Sequence, residues 1–565
     1  MPPLTTFNLE HYAANSRHYF EQLVDADGLP YFDVFWTTPP EAAHDWPDFS
    51  DVMSRQWQGA VFMRRMTGQT AATEQVWARK TLEMLNPADG QFHRPATAFC
   101  TATIEDACLP LYALATAALD NGDPAFKHAA ARMTEGYLRR LVEEHLPDSM
   151  FGGFGIKSFM VTARLLGSEP ALDVARRLVD RSFRHSPNFP PGNDFGPRVS
   201  MHGNLRTLLG TADFALATGD PELYSRVEAF YRFVKTTGTR FGWLPEAVNY
   251  RTDPLVGCET CALMDFAGLG VTLANHGHPE YWGDMERLAR NHYVESQITD
   301  VAWLGAPDNN RADTDRFTWR DVGRRIVGAW AGWSSPNHIL AYHETLNFHW
   351  ADEELRDKVR VLQNCCGGSG VHGLFTLWKN AARFEAGTLS VHMHLDKLLP
   401  QAEIRCEQPY RGRLRISLKT DAAVRVRIPE FTRAAELRVT VNDQAVTPAL
   451  SGIYLELGPR RAGDQIVLNY PLPVTTEDIA VGNPGYRQWP YRITWKGDTV
   501  LRVEALDTET THAYSEFDGA ERRVYYGPDG PGPLYQREHY FADTAPADAP
   551  LHLDDGALDL WKITR

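Results

Sequence analysis

Between residues 122 and 279 the chain repeatedly sets a glycine two or three positions before a proline. The marks are Gly122-Asp123-Pro124, Gly167-Ser168-Glu169-Pro170, Gly219-Asp220-Pro221 and Gly277-His278-Pro279, with a weaker relative at Thr67-Gly68. Glycine takes the left-handed conformation that ends a helix, and proline at a helix's first turn needs no hydrogen-bond acceptor, so each mark joins two antiparallel helices. The marks recur every 45 to 58 residues. Between two of them, Leu205, Leu208, Leu209, Ala212, Ala215 and Leu216 fall on one apolar stripe, which predicts a helix over 202–218. From Gly277 to Gly387, which reads as the end of the helix in GLFTLWKNAARFEAG, there is room for two more hairpins. Six helical hairpins predict an (α/α)6 barrel over residues 1–387.

The period then changes to two. In TLSVHMHL, Leu389, Val391, Met393 and Leu395 alternate with Ser390, His392 and His394, and RLRISL, AVRVRI, ELRVTV, GIYLEL and QIVLNYPL repeat the pattern, with Asn442-Asp443 as a hairpin turn. This predicts a β-sandwich over 388–475. A further β-rich region over 476–565, with YRITWKGDTVLRV as strands and GPDGPGPL as a loop, packs on the sandwich or the barrel. The fold class is multidomain, α then β.

An excess of 72 Asp+Glu over 57 Lys+Arg, with no long basic run, argues against a nucleic-acid or anionic-membrane surface. No run of apolar residues is long enough to span a membrane, and MPPLTTFNLEHY has neither a basic n-region nor an apolar h-region. The expectation is a cytoplasmic protein acting on a small or neutral substrate. A homodimer is compatible with this reading and not required by it.

Seven cysteines cannot all pair within one chain, and their uneven spacing excludes a disulfide framework. Two clusters remain: Gly257-Cys258-Glu259-Thr260-Cys261 and Asn364-Cys365-Cys366-Gly367-Gly368. Zn2+ takes thiolates and the occasional carboxylate in tetrahedral geometry. Glu259 and Cys261, two residues apart, reach one ion at a helix start, and the vicinal pair Cys365 and Cys366 supplies the other two ligands. A lone cysteine reads better as a small buried apolar side chain, whereas two close pairs with an embedded carboxylate read as a metal site.

Glu-Thr-Cys followed about a hundred residues later by Cys-Cys, with helical hairpins before and a β-sandwich after, resembles glycoside hydrolase family 127, the β-L-arabinofuranosidases. The resemblance runs from about residue 50 to 475. It implies zinc held by Glu259, Cys261, Cys365 and Cys366, with Cys365 as the nucleophile of a retaining exo-glycosidase. It also implies a general acid/base shortly upstream of Glu-Thr-Cys, where Glu246 stands, with Asp253 in reserve, and a sugar-binding histidine at His202. The chain departs from the family in carrying Gln363 where a third cysteine stands and Gly367-Gly368 where Pro-Pro follows the pair, which bears on the sugar accepted.

Trp46, Trp243 and Trp378 offer ring faces for sugar CH groups, Trp243 above all because it precedes Glu246 closely; Asp45 and Asp48 flank Trp46 and offer hydroxyl-binding carboxylates. His372, and His392 with His394, read as packing and as a polar strand face. The implied substrate is a small oligosaccharide or glycoside. Two other functions suit the same barrel: a sugar epimerase working with histidines and needing no thiolate cluster, and a non-catalytic carbohydrate-binding protein with structural zinc.

Overall fold

The computed structural model describes residues 5–45, 48–93, 108–143, 153–196, 199–248, 257–340, 354–355, 358, 360–482, 488–507, 511–514, 521–524 and 532–561. Trp46, Cys100 and Asp253 lie outside them. The helices are α1 (Leu9–Gln22), α2 (Met53–Thr67), α3 (Thr73–Met84), α4 (Cys108–Asn121), α5 (Pro124–Glu143), α6 (Phe154–Leu166), α7 (Glu169–Val179), α8 (Met201–Thr218), α9 (Pro221–Thr237), α10 (Thr260–Asn275), α11 (Trp282–Leu288), the single turn α12 (Val322–Arg325) and α13 (Cys365–Asn380).

α2, α4, α6, α8, α10 and α13 pack in that order into a closed inner ring, α13 returning to α2. Every described residue of α13 is buried, and nearly every one of α8 and α10, as befits helices covered on all sides. Outer helices keep one apolar face; in α9 it is Leu223, Val227, Phe230, Tyr231 and Val234. The glycine–proline marks act as their chemistry demands. Gly219 ends α8 at φ 69°, and the Asp220 side chain accepts the Leu223 amide at 2.9 Å to open α9 behind Pro221.

The sixth helix pair is built differently from the two hairpins expected between Gly277 and Gly387. α11 completes the fifth pair with α10, and the sixth consists of α13 inside and α1, from the chain's start, outside. Gly387 is no helix cap. α13 stops at Asn380, and Ala386 and Gly387, at φ 48° and 77°, turn a hairpin between the strands Ala382–Glu385 and Thr388–Val391. The sandwich therefore begins at Ala382.

Two small sheets lie among the barrel's loops. β1 (Asp33–Phe35), β2 (Glu41–Ala43), β5 (Phe317–Thr318) and β6 (Arg360–Gln363) form one in the order β5-β2-β1-β6; β3 (Val199–Ser200) and β4 (Ala247–Val248) pair as the other. The sandwich has one six-stranded and one five-stranded sheet, and its core holds Leu389, Val391, Ile404, Ile416, Val424 and Ile466. Asn442 and Asp443, at φ 50° and 63°, make the expected tight turn between Arg438–Val441 and Gln444–Val446. TLSVHMHL stops being a strand after Val391, and its remaining residues are all buried where the sandwich meets the barrel. There His392 stacks on Trp282, and His394 contacts the Tyr470 hydroxyl and the Arg427 carbonyl, both at 2.8 Å.

Beside them the Glu286 carboxylate accepts from Arg290 at 2.9 Å, from the His394 amide at 2.9 Å and from Arg427. Against the cost of its burial, the two guanidiniums hold this carboxyl down to about 2. Removing one partner of such a cluster leaves buried charge uncompensated. Glu286→Gln is expected to destabilise the protein by about 3–5 kcal/mol, read as a lowered midpoint of urea unfolding; an unchanged midpoint contradicts it.

A third, three-stranded sheet (Val474–Val481, Trp489–Lys496, Thr499–Ala505) sends Trp489, Tyr491, Ile493 and Val500 into the barrel's core. The closing segment returns to the chain's start. Thr5 pairs with Ala547, and the His552 amide donates to Glu10 at 2.7 Å. No helix of the described residues is long and apolar enough to cross a membrane.

Candidate active site

The first residues of α2, α8, α10 and α13 meet at one end of the inner ring. Glu259 is the N-cap of α10, yet its side chain makes no capping bond and turns instead toward Cys365 and Cys366. Cys261 lies in the first turn of α10, and Cys365 and Cys366 open α13. β6 delivers that pair: the Asn364 amide donates to the Phe32 carbonyl at 2.7 Å, and the Tyr19 hydroxyl donates to Asn364 Oδ1 at 2.9 Å. Gly367-Gly368 allows α13 to press on its neighbours. A Cβ on Gly368 would sit 2.1 Å from the Arg55 carbonyl oxygen, and one on Gly367 2.1 Å from the Tyr19 hydroxyl.

One ligand atom from each of Glu259, Cys261, Cys365 and Cys366 lies within 4.8 Å of the others. Cys261 Sγ and Cys366 Sγ are 3.6 Å apart, and Glu259 Oε1 is 3.7 Å from Cys365 Sγ and 3.9 Å from Cys366 Sγ. A tetrahedral zinc with Zn–S near 2.3 Å keeps its sulfurs about 3.8 Å apart, so this donor set suits that ion in both spacing and chemistry. All four residues are buried. Without a cation, burial pushes the Cys261 and Cys366 thiols well above their ordinary range. The positive ends of α10 and α13 point at the same sulfurs and favour their anionic form.

Glu246 stands on the ring's rim, just before β4. Its carboxylate accepts from the Ser200 hydroxyl and, at 3.4 Å, from the His202 amide. Burial and the neighbouring Glu259 carboxylate raise its carboxyl well above the usual range, which favours its protonated form. His202, in the first turn of α8, has both ring nitrogens engaged by protein: Nδ1 lies 2.8 Å from Asp265 Oδ2, and Nε2 lies 3.3 Å from Arg55 Nη2. The expected sugar-hydroxyl contact therefore has no free nitrogen to use. Since Arg55 can only donate, Nε2 is the acceptor and Nδ1 carries the hydrogen.

Trp243 is corrected by the structure. Its side chain is 0 % exposed and its indole donates to the Ser334 carbonyl at 2.9 Å, which leaves no face for a sugar. Asp48 is likewise inside: Oδ2 receives His44 Nδ1 at 2.6 Å and the Asp45 amide at 3.1 Å, and burial pushes its carboxyl up to about 7. Asp45 is buried beside it. Trp378 donates to Glu10 in the core. Cys258 accepts the Leu244 amide at 3.5 Å and stands outside the four-ligand cluster. Cys108 and Cys406 are buried away from the four-ligand cluster. Arg55, Gln58, Arg206, Ser369 and His372 line a small cavity of about 10 Å³, room for about one water.

Arg55, Ser369 and Asp265 went unnoticed in the sequence. Asp51 and Arg55, four apart, have the spacing of an ordinary ion pair on a helix, and nothing local reveals that Arg55 reaches Cys261.

No protein-family model matches the chain and no curated protein matches its sequence. Solved structures do match its fold along nearly its whole length. One described as a glycoside hydrolase superposes with TM-score 0.59 at 14% identity, covering 94% of this chain and 99% of its own. A GH127 β-L-arabinofuranosidase from Geobacillus stearothermophilus T6 superposes with TM-score 0.55 at 13% identity, covering 93% of each chain. A second GH127 β-arabinofuranosidase gives 0.56 at 12%, covering 96% of this chain and 93% of its own.

Proposed function

We propose that the protein is a zinc-dependent, retaining exo-glycoside hydrolase acting on a β-L-arabinofuranoside or a related small glycoside, with Cys365 as nucleophile and Glu246 as general acid/base. The observation that carries this reading is the convergence of Glu259, Cys261, Cys365 and Cys366 beside the buried Glu246 carboxyl, whose affinity for a proton is raised by burial and by Glu259. The fold likeness to two structures named as β-arabinofuranosidases supports the sugar class. Glu259 and the three cysteines would hold Zn2+, which supplies deprotonation of the thiols at neutral pH.

Cys365 Sγ attacks the anomeric carbon as the glycosidic C–O bond breaks, and Glu246 gives its proton to the departing oxygen. The sugar is then joined to Cys365 through a C–S bond. Glu246, now a carboxylate, takes a proton from water; the water oxygen attacks the anomeric carbon and the sulfur leaves as thiolate. Two inversions retain the configuration. Between turnovers, the raised affinity of Glu246 for its proton, set by burial and by Glu259, readies it as an acid.

Glu246→Gln is expected to lower kcat about 10²–10⁴-fold on an alkyl glycoside and less on an aryl glycoside, whose leaving group needs little protonation. Azide should restore turnover of the aryl substrate as a glycosyl azide of retained configuration. In the wild type, activity should fall as pH rises through the elevated Glu246 pKa, and the variant should lack that limb. An unchanged kcat in the variant, or an inverted sugar product from the wild type, overturns the assignment. A protein that carries no stoichiometric zinc and epimerises free sugars is the alternative outcome.

A further inference from the structure

Arg55 belongs to no part of the mechanism above, yet it touches three of the four helices that build the site. It stands in the first turn of α2 with 6 % of its surface exposed. Its Nε donates to Asp51, one turn earlier in the chain. Nη1 lies 3.1 Å from Ser369 Oγ on α13 and 3.8 Å from Cys261 Sγ on α10, and Nη2 lies 3.3 Å from His202 Nε2 on α8. Ser369 Oγ is itself 3.3 Å from Cys261 Sγ. With its planar fork spread over these four partners, the guanidinium is engaged chiefly by protein.

The donors are unevenly shared among the sulfurs. Cys261 faces a guanidinium and a hydroxyl, whereas Cys365 Sγ, apart from its fellow cysteines, meets the Glu259 carboxylate at 3.7 Å and the Gln363 carbonyl at 3.9 Å. A hydrogen bond to a thiolate draws charge from sulfur and lowers its nucleophilicity, and a cation beside it offsets the negative charge that four acidic ligands bring to a divalent ion.

We propose that Arg55, seconded by Ser369, is a positioning residue that fixes Cys261 as the non-reacting thiolate of the metal site and orients the His202 ring, leaving Cys365 as the thiolate free to react. This inference rests on the metal-site reading of the function. It accounts for part of a choice that ligand identity alone leaves open: the guanidinium and hydroxyl set Cys261 apart from Cys365 and Cys366, whose sulfurs both face the Glu259 carboxylate.

The test is loading of the full-length protein with Co2+, whose sulfur-to-metal charge-transfer band reports the charge on the thiolates, alongside Zn2+ affinity from chelator competition and kcat and KM on an aryl glycoside. Arg55→Met is expected to weaken Zn2+ binding about 10–100-fold, to shift the Co2+ band to lower energy and to lower kcat more than it raises KM. Ser369→Ala, which removes one neutral donor, should shift the band in the same direction by less and decides the matter if Arg55→Met does not fold. Band position and metal affinity equal to wild type in the folded variants overturn the role of Arg55 while the metal site stands. A wild type that takes up no Co2+ or Zn2+ removes the metal-site reading, and this inference with it.

Discussion

Cys365→Ser should lower kcat/KM on an aryl β-L-arabinofuranoside by on the order of 10⁴–10⁶, the range in which removal of a nucleophile leaves only binding and the remaining polar groups at work. Oxygen and sulfur differ little in size here, and α13 accepts either at its first position, so circular dichroism and the unfolding midpoint should remain close to wild type. Chemistry changes sharply. A serine hydroxyl ionises far above neutrality and is a poor zinc ligand, whereas a thiol begins near 8.5 and is readily ionised by a cation. Glu259, Cys261 and Cys366 remain, and three ligands are enough to retain an ion. The variant should thus keep metal while losing turnover, and intact mass after incubation with an activated glycoside should show the sugar adduct in wild type alone. Turnover within tenfold of wild type would sink the nucleophile assignment.

Removing the metal should have the second large effect. Four acidic groups, buried and gathered within 4.8 Å, then have no cation to share, and burial presses the Cys261 and Cys366 thiols toward their neutral form. Zinc uptake at neutral pH should release about three protons, one from each thiol, measurable in weakly buffered solution. Affinity should consequently fall steeply with acidity, because protons compete for the same sulfurs. A chelator-treated sample should be inactive and melt earlier than the holoprotein; metal at a thousandfold above its Kd contributes about 4 kcal/mol to the folded state. Added zinc should restore both properties. Full activity after verified metal removal would leave the cluster without a catalytic role.

The barrel was legible because its punctuation is local chemistry: a glycine cap and a proline start act within one turn, and Gly122, Gly167, Gly219 and Gly277 all take the positive φ their position calls for. The sixth helix pair was not, since α1 and α13 come from opposite ends of the barrel sequence and no spacing links them. Gly387 misled for a related reason, as the same left-handed conformation serves a β-turn. The cysteine pairs stood out because thiols in close sequence have few uses in a chain whose cysteine spacing does not suit a disulfide framework. Trp243 shows the converse limit. Proximity to Glu246 in sequence placed it near the site, yet its ring faces inward, and direction across a loop is set by packing against residues such as Ser334, far along the chain. Arg55 was silent because a charged side chain inside a ring of helices looks, in sequence, like one on its surface.

The pairing of the first helix with the last inner one also orders events in time. α1 is made long before α13, so its contact with α13 does not exist until residue 380 has emerged, and the pinning of Thr5 and Glu10 waits for residues 547 and 552. Cys261 likewise has no metal-binding partners until Cys365 and Cys366 have been translated. Although α1 can pack on α2 early, the ring stays open and the ligand set incomplete until α13 is made, so metal acquisition follows closure of the ring.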